Sequence, residues 1–289
     1  MLKEIGRQLD QHVFPRVVNG GFVVPNELAV PLTLGTEKHH ERRAKRGSAA
    51  GSRQGTSGRQ GTPRRAWASG GASPVVGADL EAQYEVELGG LAEQYPGAQF
   101  WHQDEGVWLL TNSGLLARLR QHALFLTGIS FPAQMVRSWA FWGDPIAFPS
   151  WIGPRHTNFP DGSVCAFEPA DGTWCFGDPI VDLLDLFTVW ALRHLHLEEF
   201  GRWPGHQAIH FAGERILELR ADEHCSCENS DKLYGECCMP KDMTGNRIGA
   251  CLAFFWRTGG VRQPPRAVTD FVRHGKEIPP LSALVPKPI

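Results

Sequence analysis

The chain has no run approaching the ~20 apolar residues that a membrane-spanning helix needs, which argues against a helical membrane protein. Its start, Met1-Leu2-Lys3-Glu4-Ile5-Gly6, lacks the apolar stretch and small-residue cleavage site of a secretory leader. No internal repeat is visible, so a repeat architecture is not expected. A cytoplasmic address follows as the default. In that reducing compartment, clustered cysteines more often hold metal or do chemistry than form disulfides, and there are seven of them.

What is present fits one substantial domain with smaller appendages. The 289 residues are 42% apolar, enough to bury a core, and nine of the ten tryptophans follow residue 100, so the packed part is expected in the C-terminal two thirds. The net charge of −2 hides an asymmetry. Residues 36–66 hold nine Lys/Arg (Lys38, Arg42, Arg43, Lys45, Arg46, Arg53, Arg59, Arg64, Arg65) against Glu37 and Glu41, net +7, and the rest of the chain carries −9. Such an arm can bind nucleic acid through counterion release, but it lacks interleaved aromatics and any base-reading motif, so nucleic acid is not the expected partner.

Residues 47–78 form a Gly/Ser/Arg-rich stretch with almost nothing apolar to offset ordering entropy, and are expected to be a flexible linker. Residues 1–46 precede it, basic at their end; Val17-Val18 and Phe22-Val23-Val24 suggest two short strands around Asn19-Gly20-Gly21. From Asp79 the periodicity of Leu80, Tyr84, Leu88, Leu91 and Tyr95 predicts a helix capped by Asp79 and stopped at Pro96. Short β-rich pieces follow at 99–101, 106–111, 123–127 and 138–142, separated by turn-like Asp104-Glu105-Gly106, Asn112-Ser113-Gly114 and Gly143-Asp144-Pro145. A helix and then an antiparallel meander make the fold class α+β. After the irregular stretch 149–177, Asp178-Pro179 reads as an N-cap and first helical position, opening a largely buried helix to Phe200. Residues 251–256 read as a buried strand and 265–273 as a short helix. The main domain is therefore placed at 79–220, a cysteine-rich module at 221–240, and a strand and helix packing on the main domain at 241–289.

The most informative segment is Arg155-His156-Thr157-Asn158-Phe159-Pro160-Asp161-Gly162-Ser163-Val164-Cys165. An Asp-Gly turn presents Cys165 at the end of a short apolar step. A thiolate is a strong nucleophile and a good thioester partner. The Asn158 amide can donate to an oxyanion on an acyl carbon at that sulfur, and His156 can act as base or hold the loop by hydrogen bonds.

This segment resembles the active-site loop of ubiquitin-conjugating enzymes: His-Pro-Asn, then Gly-x-Ile/Val-Cys, then Trp and a helix. Here His156, Asn158, Gly162-Ser163-Val164-Cys165, Trp174 and the helix after Pro179 stand in that order. Thr157 replaces the proline, Asn158 and Cys165 are one position closer than usual, and Ala166 replaces leucine, which suggests a divergent prokaryotic branch. The resemblance covers roughly residues 79–200. It implies a ubiquitin-conjugating-like fold and transthiolation: Cys165 carries a modifier as a thioester, Asn158 steadies the oxyanion or the loop, and His156 is structural. It also implies a bacterial ubiquitin-like pathway, many of which act in antiphage defence. The partners would be an activating enzyme, a ubiquitin-like modifier or other conjugated protein, and often a metallopeptidase from the same operon. No Gly-x-Gly-x-x-Gly follows a strand and the sequence does not end in Gly-Gly, so those partners are expected to be separate proteins.

Cys225-Ser226-Cys227, nine residues, then Cys237-Cys238 place four thiols in fourteen positions, suited to a closed tetrahedral zinc site of structural type. The segment resembles the SEC-C motif, with Ser230, Lys232 and Tyr234 in matching order in a spacer one residue longer. His224 is a substitute ligand. His194, His196, His206 and His210 read as surface or core-edge residues, since His194 and His196 face different sides of a helix. Cys175 and Cys251 read as buried small hydrophobes. Two further readings compete: a non-catalytic adaptor of the same fold binding partners through the zinc knuckle, and a cysteine hydrolase using Cys165 and His156, for which no oxyanion-hole helix start adjoins the cysteine.

Overall fold

Alternating faces from Gln99 to Trp151 produce a meander in the computed structural model, which describes residues 2–11, 16–18, 21–23, 74–116, 121–143, 148–167, 172–227, 231–258 and 262–283. The whole basic arm, 36–66, and residues 47–73 of the Gly/Ser/Arg stretch therefore lie outside the described residues. Five strands, β3 (Gln99–Gln103), β4 (Gly106–Leu116), β5 (Gln121–Ser130), β6 (Met135–Gly143) and β7 (Ser150–Trp151), pair antiparallel in sequential order. The fold class is α+β.

Register decides which side chains go to which face. Val107, Leu109, Phe125, Ile129, Ala140 and Trp142 face one core, whereas Trp108, Leu126, Trp139 and Phe141 face a second, smaller one. The first core is covered by α2 (Pro74–Gln94) and α3 (Ile180–Phe200). The second is closed by Val268 of α7 (Arg266–His274) and by Leu281, and Trp108 Nε1 donates to the Pro279 carbonyl at 2.9 Å. Burial on both faces is why the strands read as nearly continuous apolar runs.

In α2, Tyr84, Leu88 and Leu91, with Tyr95 just beyond, are each at most 2% exposed, as their spacing predicts. The helix begins at Pro74, however, five residues before Asp79. The start of α3 also differs. Asp178 does not cap it; its carboxylate accepts from Cys175 N at 2.8 Å, and the Ile180 amide donates instead to Glu87 of α2 at 2.8 Å. A carboxylate from a neighbouring helix satisfies one of the donors that every helix start leaves unpaired.

The N-terminal segment is not separate from the main domain. Helix α1 (Leu2–Asp10) inserts Ile5 and Leu9, 0% and 1% exposed, into the first core. Gly6 allows the approach, because a Cβ there would meet His196 Nε2 at 2.3 Å. Asp10 then accepts from Gly205 N at 2.8 Å and pairs with Arg202 at 2.7 Å. The predicted hairpin is present as β1 (Arg16–Val18) and β2 (Gly21–Val23).

The remaining elements are α4 (Ala212–Glu218), α5 (Met239–Asp242) and α6 (Arg247–Thr258). Helix α6 corrects the reading of 251–256 as a buried strand. Phe254 is buried, but Leu252, Phe255 and Trp256 are 51%, 47% and 78% exposed. Short apolar runs do not distinguish strand from buried helix, and here the Asn246 side chain, accepting from Gly249 N at 2.8 Å, starts a helix as an N-cap. His194 and His196 are 2% and 7% exposed, so both are core residues, each bound to a different backbone carbonyl at 2.8 Å. Cys175 is exposed and Cys251 only partly buried, against the expectation that both are core. Among the described residues no helix is long and apolar enough to cross a membrane.

Between α2 and α3, Tyr95 donates its hydroxyl to Asp185 at 2.6 Å, and burial pushes the Asp185 carboxyl up to about 6 from 3.8. A raised carboxyl makes folding less favourable as it ionises, so the cost is absent well below the unfolded value and full above about 6. Asp185→Asn keeps the acceptor for Tyr95 and removes the charge. It is expected to stabilise the protein by roughly 1 kcal/mol near pH 7.5, discounted for partial exposure, and by nothing near pH 4. Denaturant unfolding at the two pH values checks this.

Candidate functional site

The chain after β7 turns back along the edge of β6 and closes a miniature hairpin that ends in Cys165. Thr157 pairs antiparallel with Val164, Asn158 N donates to Ser163 O at 2.7 Å, and Gly162 N donates to Asn158 O at 2.9 Å. Gly162, at φ 65°, occupies the left-handed region that glycine tolerates, and a Cβ there would meet the Gln263 backbone at 2.9 Å. Val164 N donates to Ser138 O at 2.7 Å, fastening the hairpin to β6, and the Trp139 indole donates to Asp161 O at 2.8 Å.

The polar side chains of the turn satisfy one another. Asp161 accepts from Ser163 N and Oγ at 3.0 and 2.8 Å and pairs with Arg137 at 3.3 Å. Asn158 Nδ2 donates to Ser163 Oγ at 3.1 Å and to Val164 O at 3.0 Å. Cys165 is partly buried, and its amide donates to His156 O at 3.0 Å.

His156 sits behind the hairpin with its ring 4.2 Å from that of Trp203. Burial and the neighbouring Arg155 charge hold its pKa well below the ordinary value, so the ring is neutral at pH 7. Its Nε2 lies 3.1 Å from Gln207 Oε1. Since Gln207 Nε2 donates to His224 O at 3.1 Å, the facing oxygen accepts, and His156 Nε2 carries the proton. Its carbonyl also takes the Trp190 indole proton at 2.8 Å. This geometry holds the backbone that precedes the cysteine and leaves Nε2 no lone pair with which to take up a proton.

The second cluster lies across Arg155. Cys225, Cys227, Cys237 and Cys238 bring their sulfurs within 4.8 Å of one another, with Cys227 and Cys237 at 3.5 Å. Tetrahedral zinc with Zn–S near 2.3 Å requires sulfurs about 3.8 Å apart, so the set is positioned to hold a metal ion. Burial, with hydrogen bonds and charge from Cys225 and Cys227, pushes the Cys238 thiol up to about 12. Zinc takes cysteine as thiolate, so an ion bound here would displace thiol protons. Their scaffold is a β-bridge between His224 and Leu233, a 3-10 turn at Tyr234–Glu236 and helix α5. Tyr234 and the Arg215–Asp242 pair, 2.7 Å apart, brace it, with the Tyr234 hydroxyl donating to Asp242 at 3.2 Å.

Glu223 and Arg155 join the two clusters. Their side chains are 0% and 6% exposed and meet through two hydrogen bonds of 2.9 and 2.6 Å. Glu223 also accepts from Trp203 N and Arg220 N at 2.7 and 3.0 Å, and Arg155 donates to Gln207 at 2.8 Å. Sequence reasoning missed Arg155, Gln207 and Glu223, and also Arg262, Glu214 and Glu218 beside the hairpin. Lone charged residues 44–68 positions apart from their charged partners leave no local pattern; only the tertiary structure pairs them. No family model matches the chain, and neither a curated protein nor a solved structure does.

Removing one partner of a buried ion pair strands the other charge, whereas replacing both does not. Glu223→Ala is expected to cost about 3–5 kcal/mol in denaturant unfolding. The double variant Arg155→Met/Glu223→Leu should recover most of that loss.

Proposed function

We propose that the chain is a ubiquitin-like-protein conjugating enzyme. Cys165 would carry the C-terminus of a modifier as a thioester and pass it to a target amine, in a bacterial ubiquitin-like pathway with antiphage defence as its context. The observation that carries this reading is the closed 157–164 hairpin, which follows a helix and an antiparallel meander and presents a partly buried cysteine ahead of Trp174 and α3. The ubiquitin-conjugating family sets its elements in this order. In the transfer step the amine nitrogen attacks the thioester carbon, the C–S bond breaks, the thiolate remains on Cys165, and the amine proton leaves to water or buffer. An activating enzyme supplies the thioester, and a metallopeptidase is the expected further partner.

Zinc is the metal proposed for the four cysteines. With every position taken by protein sulfur the ion is structural and binds no substrate. The module then serves as a docking surface.

One observation favours a second reading. The Asn158 amide is already engaged with Ser163 and Val164, so it braces the hairpin instead of facing an acyl carbon on Cys165. On this reading the protein is a non-catalytic adaptor that binds partners through the zinc module.

Intact-protein mass after incubation with the activating enzyme, modifier and ATP separates the two. The conjugating reading expects a reductant-sensitive adduct that Cys165→Ala abolishes. A loaded activating enzyme with no adduct on this chain would leave the adaptor. Elemental analysis of purified protein is expected to find zinc equimolar with the chain, lost in Cys227→Ser together with cooperative unfolding of 205–245.

A further inference from the structure

Arg262 lies between α6 and α7, and its side chain reaches back over the cysteine hairpin. The guanidinium is 5% exposed, stacks 4.1 Å from the centroid of the Phe159 ring, and donates to the Thr157 carbonyl at 3.2 Å. Thr157 pairs with Val164, the residue before Cys165, so the cation is held against the hairpin strand opposite the one that leads into the thiol. The chain next to it is committed to the same contact: Gln263 N donates to Pro160 O at 3.3 Å.

A cation this deeply buried needs partners. Helix α4 supplies two carboxylates, Glu214 at 3.3 Å and Glu218 in direct contact. Glu214 in turn faces His210 and Arg155. The Cys165 charge is felt here too: burial lowers the Arg262 pKa, while Glu214 and the Cys165 thiolate oppose that fall. Attraction between thiolate and guanidinium acts equally on both groups, so the Arg262 charge across the hairpin favours the ionised sulfur. One oxygen of Glu218 is buried without a hydrogen-bond partner, which fits a carboxylate placed for its charge beside Arg262.

We propose that Arg262 is the positioning residue of the carrier thiol, holding the Thr157 side of the hairpin and favouring the Cys165 thiolate with a charge that Glu214 and Glu218 moderate. The proposal deepens the conjugating reading and rests on Cys165 as its nucleophile. The thiolate is the attacking form when a thioester is taken up and the leaving group when it is passed on, so one cation serves both half-reactions.

The pH dependence of Cys165 alkylation by iodoacetamide, read at that residue by peptide mass spectrometry on the full-length protein, tests the assignment without activating enzyme or modifier. Arg262→Gln is expected to raise the midpoint by about one pH unit and leave the alkaline plateau rate unchanged, with Arg262→Lys shifting it less. Glu218→Gln, which leaves the guanidinium less neutralised, is expected to lower it. An unchanged midpoint in folded Arg262→Gln would overturn the proposal. Should that variant fail to fold, Glu218→Gln decides, and a midpoint that stays or rises overturns it. Shifts of the expected sign in a protein that forms no thioester would sink the conjugating reading and leave the Arg262 assignment standing.

Discussion

A single buried ion pair, Arg155 with Glu223, joins the parts of this molecule. Glu223 accepts four hydrogen bonds, two from the guanidinium and two from the backbone amides of Trp203 and Arg220. Two charges removed from water are tolerable only when so completely satisfied. The Arg155 carbonyl takes His194 of α3, its side chain takes Gln207, and Gln207 reaches both His156 and the backbone of His224. The cysteine hairpin, helix α3, the connection after it and the four-cysteine module therefore meet at one point. The module at 221–240 is built into the main domain, and a metal held there stiffens the backbone on which Glu223 sits.

Coverage of the sheet on both faces has a second consequence. Helices α2 and α3 form the larger core, and segments from the far end of the chain close the smaller one with Val268 and Leu281. Arg262 belongs to that returning segment. Packing the C-terminal elements onto the outer face of the meander brings their polypeptide across the hairpin, and Gly162 leaves room for it. The surroundings of Cys165 thus combine the local turn with residues nearly a hundred positions downstream.

Much of the architecture was legible because it rests on periodicity. Tyr84, Leu88, Leu91 and Tyr95 mark one helical face, the strands of the meander alternate or run apolar between turn residues, and the paired cysteines carry metal-site spacing. Where periodicity is ambiguous the reading failed. Residues 251–256 are apolar in the way of a buried strand, yet Asn246 starts a helix there and most of its apolar side stays exposed. Capping shows the same limit: Asp178 resembles an N-cap in one dimension, but Glu87, 93 positions before the Ile180 amide, supplies the contact in three.

The sequence by itself determined which residues can do chemistry here: one cysteine at the end of an Asp-Gly turn, and four more in two close pairs. Those facts depend on residue type and on separations of a few positions, over which the chain has little freedom. The tertiary structure decided what surrounds them. It buried His156 and pointed its proton at Gln207, turned the Asn158 amide into the hairpin, and set Arg262 and its two carboxylates against the cysteine hairpin. Electrostatic partners separated by tens of residues are chosen by packing, because burial selects the pairs that satisfy one another and local sequence carries no record of that choice.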